Sequence, residues 1–143
     1  MSVGALIVIA ALVYTVFAIC NARSGGRIDP SMGSFIFNGL GAAVALTVYL
    51  VQVYVRDTHP IAAKPAGIVY SVIGGFAIGV FSILFITIYG RGGNLSYVLP
   101  VVYGGSIALS ATIGFLVFGE PVSAVRVAGV AAIVAGISLL AVA

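Results

Sequence analysis

The chain has 143 residues, of which 62% are hydrophobic and 6% charged, and its mean hydropathy is +1.30. A soluble domain carries about a quarter charged residues, so this composition excludes a water-facing surface and leaves lipid as the solvent. The net charge of +3 rests on six Lys/Arg in short polar stretches, which is a topology signal and not a nucleic-acid footprint, and a single cysteine excludes an internal disulfide or a cysteine metal cluster.

In lipid every backbone N–H and C=O must be satisfied internally, which leaves helices or a closed barrel. The apolar runs are long and lack the alternation of barrel strands, so they predict helices. The first span covers about 3–20, where the only polar side chains are Tyr14 and Thr15. No basic region precedes it, so Met1 is expected to begin the mature chain. A polar, turn-rich stretch from Asn21 to Pro30 follows.

The second span covers about 32–55. Ser34, Asn38, Gly41, Ala45, Tyr49 and Gln52 recur at offsets of three and four and share one stripe. Such a stripe faces protein or a cavity. An unpaired amide in an apolar medium costs several kcal/mol, so Asn38 either makes an interhelical hydrogen bond or lines a substrate path. The loop from Arg56 to Pro65 contains His59, the one imidazole, read as solvated. The third span covers about 66–89, with Tyr70 at the head of a small-residue face made by Ser71, Gly75 and Gly79.

The fourth span covers about 95–119. Pro100 removes a helical hydrogen bond, and Gly104 and Gly105 make the region deformable. It reads either as a kinked packing helix or as a broken helix bordering a cavity. Tyr103, Ser106 and Ser110 share a stripe. Gly119-Glu120-Pro121 forms a corner, with Glu120 as a loop anchor or helix cap. The fifth span covers about 123–143, where Ala128, Ala132 and Gly136 are four apart and Gly129 and Gly136 are seven apart. A helix so rich in Ala and Gly is built to lie against another helix.

The series Leu95-Ser96-Tyr97, Gly104-Gly105-Ser106, Phe118-Gly119-Glu120-Pro121 and Gly129 to Gly136 resembles the drug/metabolite transporter superfamily. It is similar to the last two helices of the small multidrug resistance proteins and to the end of the five-helix EamA-like half. The match is best over residues 95–140, and five spans fit the EamA-like half better. The resemblance implies transport of a small metabolite by alternating access. It also implies a ten-helix assembly of two oppositely oriented halves, a dimer contact at Gly129, Ala132 and Gly136, and a bacterial inner-membrane location. One departure is plain. The small multidrug proteins carry a membrane-embedded Glu in their first helix, and residues 3–20 contain no carboxylate. Proton-for-drug exchange of that kind is therefore not expected.

With five spans, Arg23, Arg27 and Arg91 fall on one side and Arg56, Lys64 and Arg126 on the other. Equal counts leave no positive-inside bias, which predicts dual topology and an antiparallel homodimer of ten helices. The expected fold is thus an all-α integral membrane protein with five transmembrane helices. The leading expectation for function is a secondary transporter of a small neutral or amphipathic metabolite. Its binding residues would be Tyr14, Asn38, Tyr70, Tyr97, Tyr103, Ser106 and Ser110, with no cofactor and no metal. The alternative is a non-transporting membrane subunit, or a component of a flippase for a lipid-linked intermediate, packed against a larger partner. An enzyme finds no support, because no paired-carboxylate, His/Cys or Ser/His/Asp arrangement lies at membrane depth.

Overall fold

The computed structural model describes residues 2–55 and 63–141. The regular elements among them are helical: α1 (Val3–Ser24), α2 (Pro30–Leu50) running on into a π-helical segment (Val51–Val55), α3 (Pro65–Gly90), α4 (Leu95–Leu116) and α5 (Ala124–Ala141). α1, α2 with its π segment, α3 and α4 are each long and apolar enough to cross a membrane, so the chain is a multi-pass membrane protein. α5 has 18 residues. At 1.5 Å per residue it reaches about 27 Å, near the lower limit for a span. His59, with Arg56 and Asp57 of the same predicted loop, lies outside the described residues.

Caps explain most helix ends. Asp29 Oδ1 accepts from the backbone N–H of Ser31 (2.9 Å) and Met32 (3.1 Å), and Pro30 occupies the first turn of α2. α1 runs past residue 20 to Ser24. Asn21 Nδ2 donates to the Phe17 carbonyl (2.9 Å), so the polar residues there bond back onto the helix rather than breaking it. Arg23 in that last turn complements the helix dipole. α4 stops at Leu116, short of the expected 119, because Gly119 adopts φ +63° and the Glu120 N–H bonds the Gly114 carbonyl (3.1 Å). Pro100 is accommodated inside α4 without breaking it.

The chain forms two compact units, Met1–Gly92 and Gly93–Ala143. In the first unit α3 is central, and α1 and α2 both pack on it. The packing is confined to one end. Ala18 and Asn21 of α1, Gly33 and Ser34 of α2, and Ser82, Phe85, Ile86 and Tyr89 of α3 are buried there. A Cβ on Gly25 would sit 2.7 Å from the Gly90 backbone nitrogen, so two backbones touch where no side chain fits. Phe85 stacks on Phe81 (centroids 4.9 Å apart) and meets Tyr89 edge-on (5.0 Å), and Phe17 meets Phe37 edge-on (5.6 Å). Away from this end the helices diverge. Every residue in 2–13, 39–52 and 65–78 is exposed.

The second unit is the α4–α5 hairpin. α5 presses Ile137 and Ile133 into Gly104, where an added Cβ would collide with Ile137. The Glu120 carboxylate folds over Gly114, its Cδ 3.3 Å from where a Cβ would stand. Ser123 Oγ caps α5 by accepting from the Arg126 N–H (3.2 Å).

Candidate functional site

Where α2 and α3 begin to separate, they leave an open groove of about 420 Å³, lined by Ser31, Ser34, Phe35, Asn38, Gly39, Gly75, Gly79 and Ile83. Its polar part is a relay. Asn38 Nδ2 donates to the Ser34 carbonyl (2.8 Å) and to Ser34 Oγ (3.2 Å), and Ser34 Oγ donates across to the Gly79 carbonyl of α3 (3.1 Å). Ser34 is 4% exposed and Asn38 half-buried. Asn38 stands eight residues beyond Pro30, about 12 Å along the axis and so well inside the apolar layer.

Gly75 and Gly79 bring no neighbour within 4 Å of a would-be Cβ inside this unit, in place of the close approach expected of them, and Gly39 beside them is equally open. Their missing side chains are the groove. Two further depressions offer less. One lies along α3 beside Lys64, Gly67 and Ser71 (about 470 Å³), and one lies at the π segment beside Thr47 and Gln52 (about 220 Å³). Neither draws its lining from two facing helices.

Of the predicted binding residues, only Asn38 lines the groove. Tyr14 is half-buried on α1 against Phe17, with ring centroids 5.7 Å apart. Tyr70 is 73% exposed on the diverging part of α3. Tyr97, Tyr103, Ser106 and Ser110 belong to α4 in the second unit. There Ser106 Oγ donates to the Tyr103 carbonyl (2.9 Å), Ser110 is exposed one turn further on, and Tyr97 is 45% exposed. On α5, Gly129 and Gly136 have nothing within 4 Å of a would-be Cβ, and Ala132 is exposed. Among the described residues no group of three His, Cys, Asp or Glu could hold a metal ion.

Sequence reasoning placed Ser34 and Gly79 on small-residue faces but missed the bond between them, and it missed Ser31, Phe35, Gly39 and Ile83 as lining. A signal was present. Ser34 and Asn38 are four apart on α2, and Gly75 and Gly79 are four apart on its antiparallel neighbour. Two such steps facing each other place a hydroxyl and an amide opposite bare backbone. No protein-family model, no curated protein and no solved structure matches the chain. The likeness of residues 95–140 to drug/metabolite transporters therefore rests on the sequence motifs alone.

Proposed function

We propose that the protein is a half-transporter, carrying a small neutral or amphipathic metabolite across the membrane by alternating access in an antiparallel homodimer. The observation that carries this reading is the α2–α3 groove, a polar relay set at membrane depth in helices that are otherwise apolar. Polar side chains at that depth are costly, and they mark packing contacts or paths for solutes. Here the relay ties α2 to α3 through Ser34 and leaves Asn38 half-buried at an open surface, which supports a path beside the contact. The transporter-like motifs of residues 95–140 and the equal charge count on the two sides support the same reading. In it α5 is the fifth span, and its Gly129, Ala132 and Gly136 face meets the second copy.

The test is solute flux in proteoliposomes. Saturable uptake that Gly75→Leu blocks supports the proposal, since the new side chain fills the groove without meeting another atom within 4 Å at its Cβ. Flux that never exceeds protein-free vesicles for any candidate solute counts against it. Orientation is tested separately, by labelling Ser24→Cys in a Cys20→Ala background with a membrane-impermeant reagent. Labelling of about half the molecules from outside fits dual topology.

The second reading is a non-transporting subunit of a larger membrane complex. It is favoured by the helix surface left uncovered, namely the diverging halves of α2 and α3 and the glycine face of α5. A variant, a flippase component, draws on the groove lying open along its length between two helices. Purification in fixed stoichiometry with another protein would move the subunit reading ahead.

A further inference from the structure

The atoms of the relay can be assigned by elimination. The Ser34 carbonyl only accepts, so the Asn38 atom 2.8 Å from it is the nitrogen. The Gly79 carbonyl likewise only accepts, so the Ser34 hydroxyl hydrogen points across to it. The second Asn38 N–H then meets Ser34 Oγ. Every donor of the relay is consumed inside the protein. What remains of the relay is Asn38 Oδ1, an acceptor with no hydrogen-bond partner among the described residues, on a side chain that lines the groove.

From this we infer that the deep end of the groove takes a neutral ligand that donates a hydrogen bond, such as a carboxamide or an alcohol with an apolar body. The inference rests on the groove being the binding site, as proposed above. An acceptor without a donor stays unsatisfied once water is excluded, so a ligand N–H or O–H is the complement that Asn38 Oδ1 lacks. Phe35 and Ile83 supply the apolar walls, and the bare backbone of Gly75 and Gly79 leaves room for the ligand body. Neutrality follows from the lining, which contains no Asp or Glu to pair with an ammonium group at membrane depth. Ser31 stands at the mouth, seven residues and about 10 Å from Asn38, close to the polar end of α2.

Three ring compounds of similar size separate the possibilities. Benzamide donates and is neutral, methyl benzoate keeps the ring and carbonyl but cannot donate, and benzylammonium donates with a charge. Binding of each to the full chain in lipid nanodiscs is measured by ligand-observed NMR, with empty nanodiscs subtracted. Benzamide is expected to bind at least tenfold tighter than either of the others. Asn38→Leu is expected to erase that preference, and Gly75→Leu to remove binding of all three. Equal binding of benzamide and methyl benzoate, removed by Gly75→Leu, would overturn the donor inference and keep the groove as a site. So would a preference for benzamide that survives Asn38→Leu. Tightest binding by benzylammonium would overturn neutrality. Absence of any binding sensitive to Gly75→Leu would bring down both the inference and the groove reading. Should Asn38→Leu fail to fold, the three probes on the unaltered chain still decide between these outcomes.

Discussion

The two ends of the first unit are made from the same three helices and could hardly differ more. At one end Gly25 lies against Gly90, Gly33 against Ile86, and Phe85 between Phe81 and Tyr89. At the other, residues 2–13, 39–52 and 65–78 touch so little that all are exposed. The open end is the more apolar, with no charged side chain in 2–13, 39–52 or 65–78, so hydrophobicity does not decide which one closes. In lipid an aliphatic side chain loses little by facing acyl chains, and helices associate where shape and hydrogen bonds reward it. The closed end has backbone-to-backbone contact, an aromatic ladder and the Ser34–Gly79 bond. The open end has none of these, and its groove persists because nothing favours filling it.

The widest contrast should come from Phe85→Ala against Phe76→Ala. Phe85 is 1% exposed and Phe76 77% exposed. The first should cost roughly 3–5 kcal/mol and the second less than about 1 kcal/mol, measured by detergent-induced unfolding of the purified protein. Similar costs would mean that the open end is packed in the membrane. The next contrast is Gly25→Ala against Gly75→Ala. The added methyl meets backbone at 2.7 Å in one case and open space in the other. Expected losses are about 1–3 kcal/mol and about zero, in the same unfolding experiment.

Ser34→Ala probes the boundary between the ends by removing the one bond it makes to α3. Polar contacts between membrane helices average about 0.6 kcal/mol and reach about 1.7 kcal/mol, so a loss within that range is expected. The smallest effect belongs to Tyr89→Phe. The Tyr89 hydroxyl is buried with no hydrogen-bond partner among the described residues. Deleting it should leave stability unchanged or raise it by up to about 1 kcal/mol. A clear loss in a thermal melt would point to a bound water serving that oxygen.

The helices were legible in the sequence because long apolar runs have few alternatives in lipid, and their ends moved by about a turn at most. The closed end was not legible. Gly25 reads as an ordinary turn glycine, and its contact with Gly90 depends on where α3 returns. Gly75 and Gly79 read as a close-approach face, yet within this unit nothing lies within 4 Å of a would-be Cβ on either, and only the Gly79 carbonyl is reached, by Ser34 Oγ. Nothing in Val51-Gln52-Val53-Tyr54-Val55 announces a π segment. Asn38 was legible as an amide far from either end of its span. Tyr14 and Tyr70 were grouped with it by residue type, and the structure sets them apart, on α1 and on the exposed half of α3. A helical repeat of 3.6 tells which residues share a face, not how far away the facing helix stands.

The placement of the aromatic ladder near the end of α3 bears on how the protein is made. The residues that seal the first unit, Ser82, Phe85, Ile86 and Tyr89, are among the last of that unit to leave the ribosome. Until then α1 and α2 lack both the Gly25–Gly90 contact and the packing of Gly33 against Ile86. The first two helices therefore enter the bilayer before the contacts that close the unit can form, with the Phe17–Phe37 pair as a contact of their own. A released chain truncated just before Ser82 should remain sensitive to protease in the loop at Gly25 and Gly26, and the chain extended to Gly92 should be protected there.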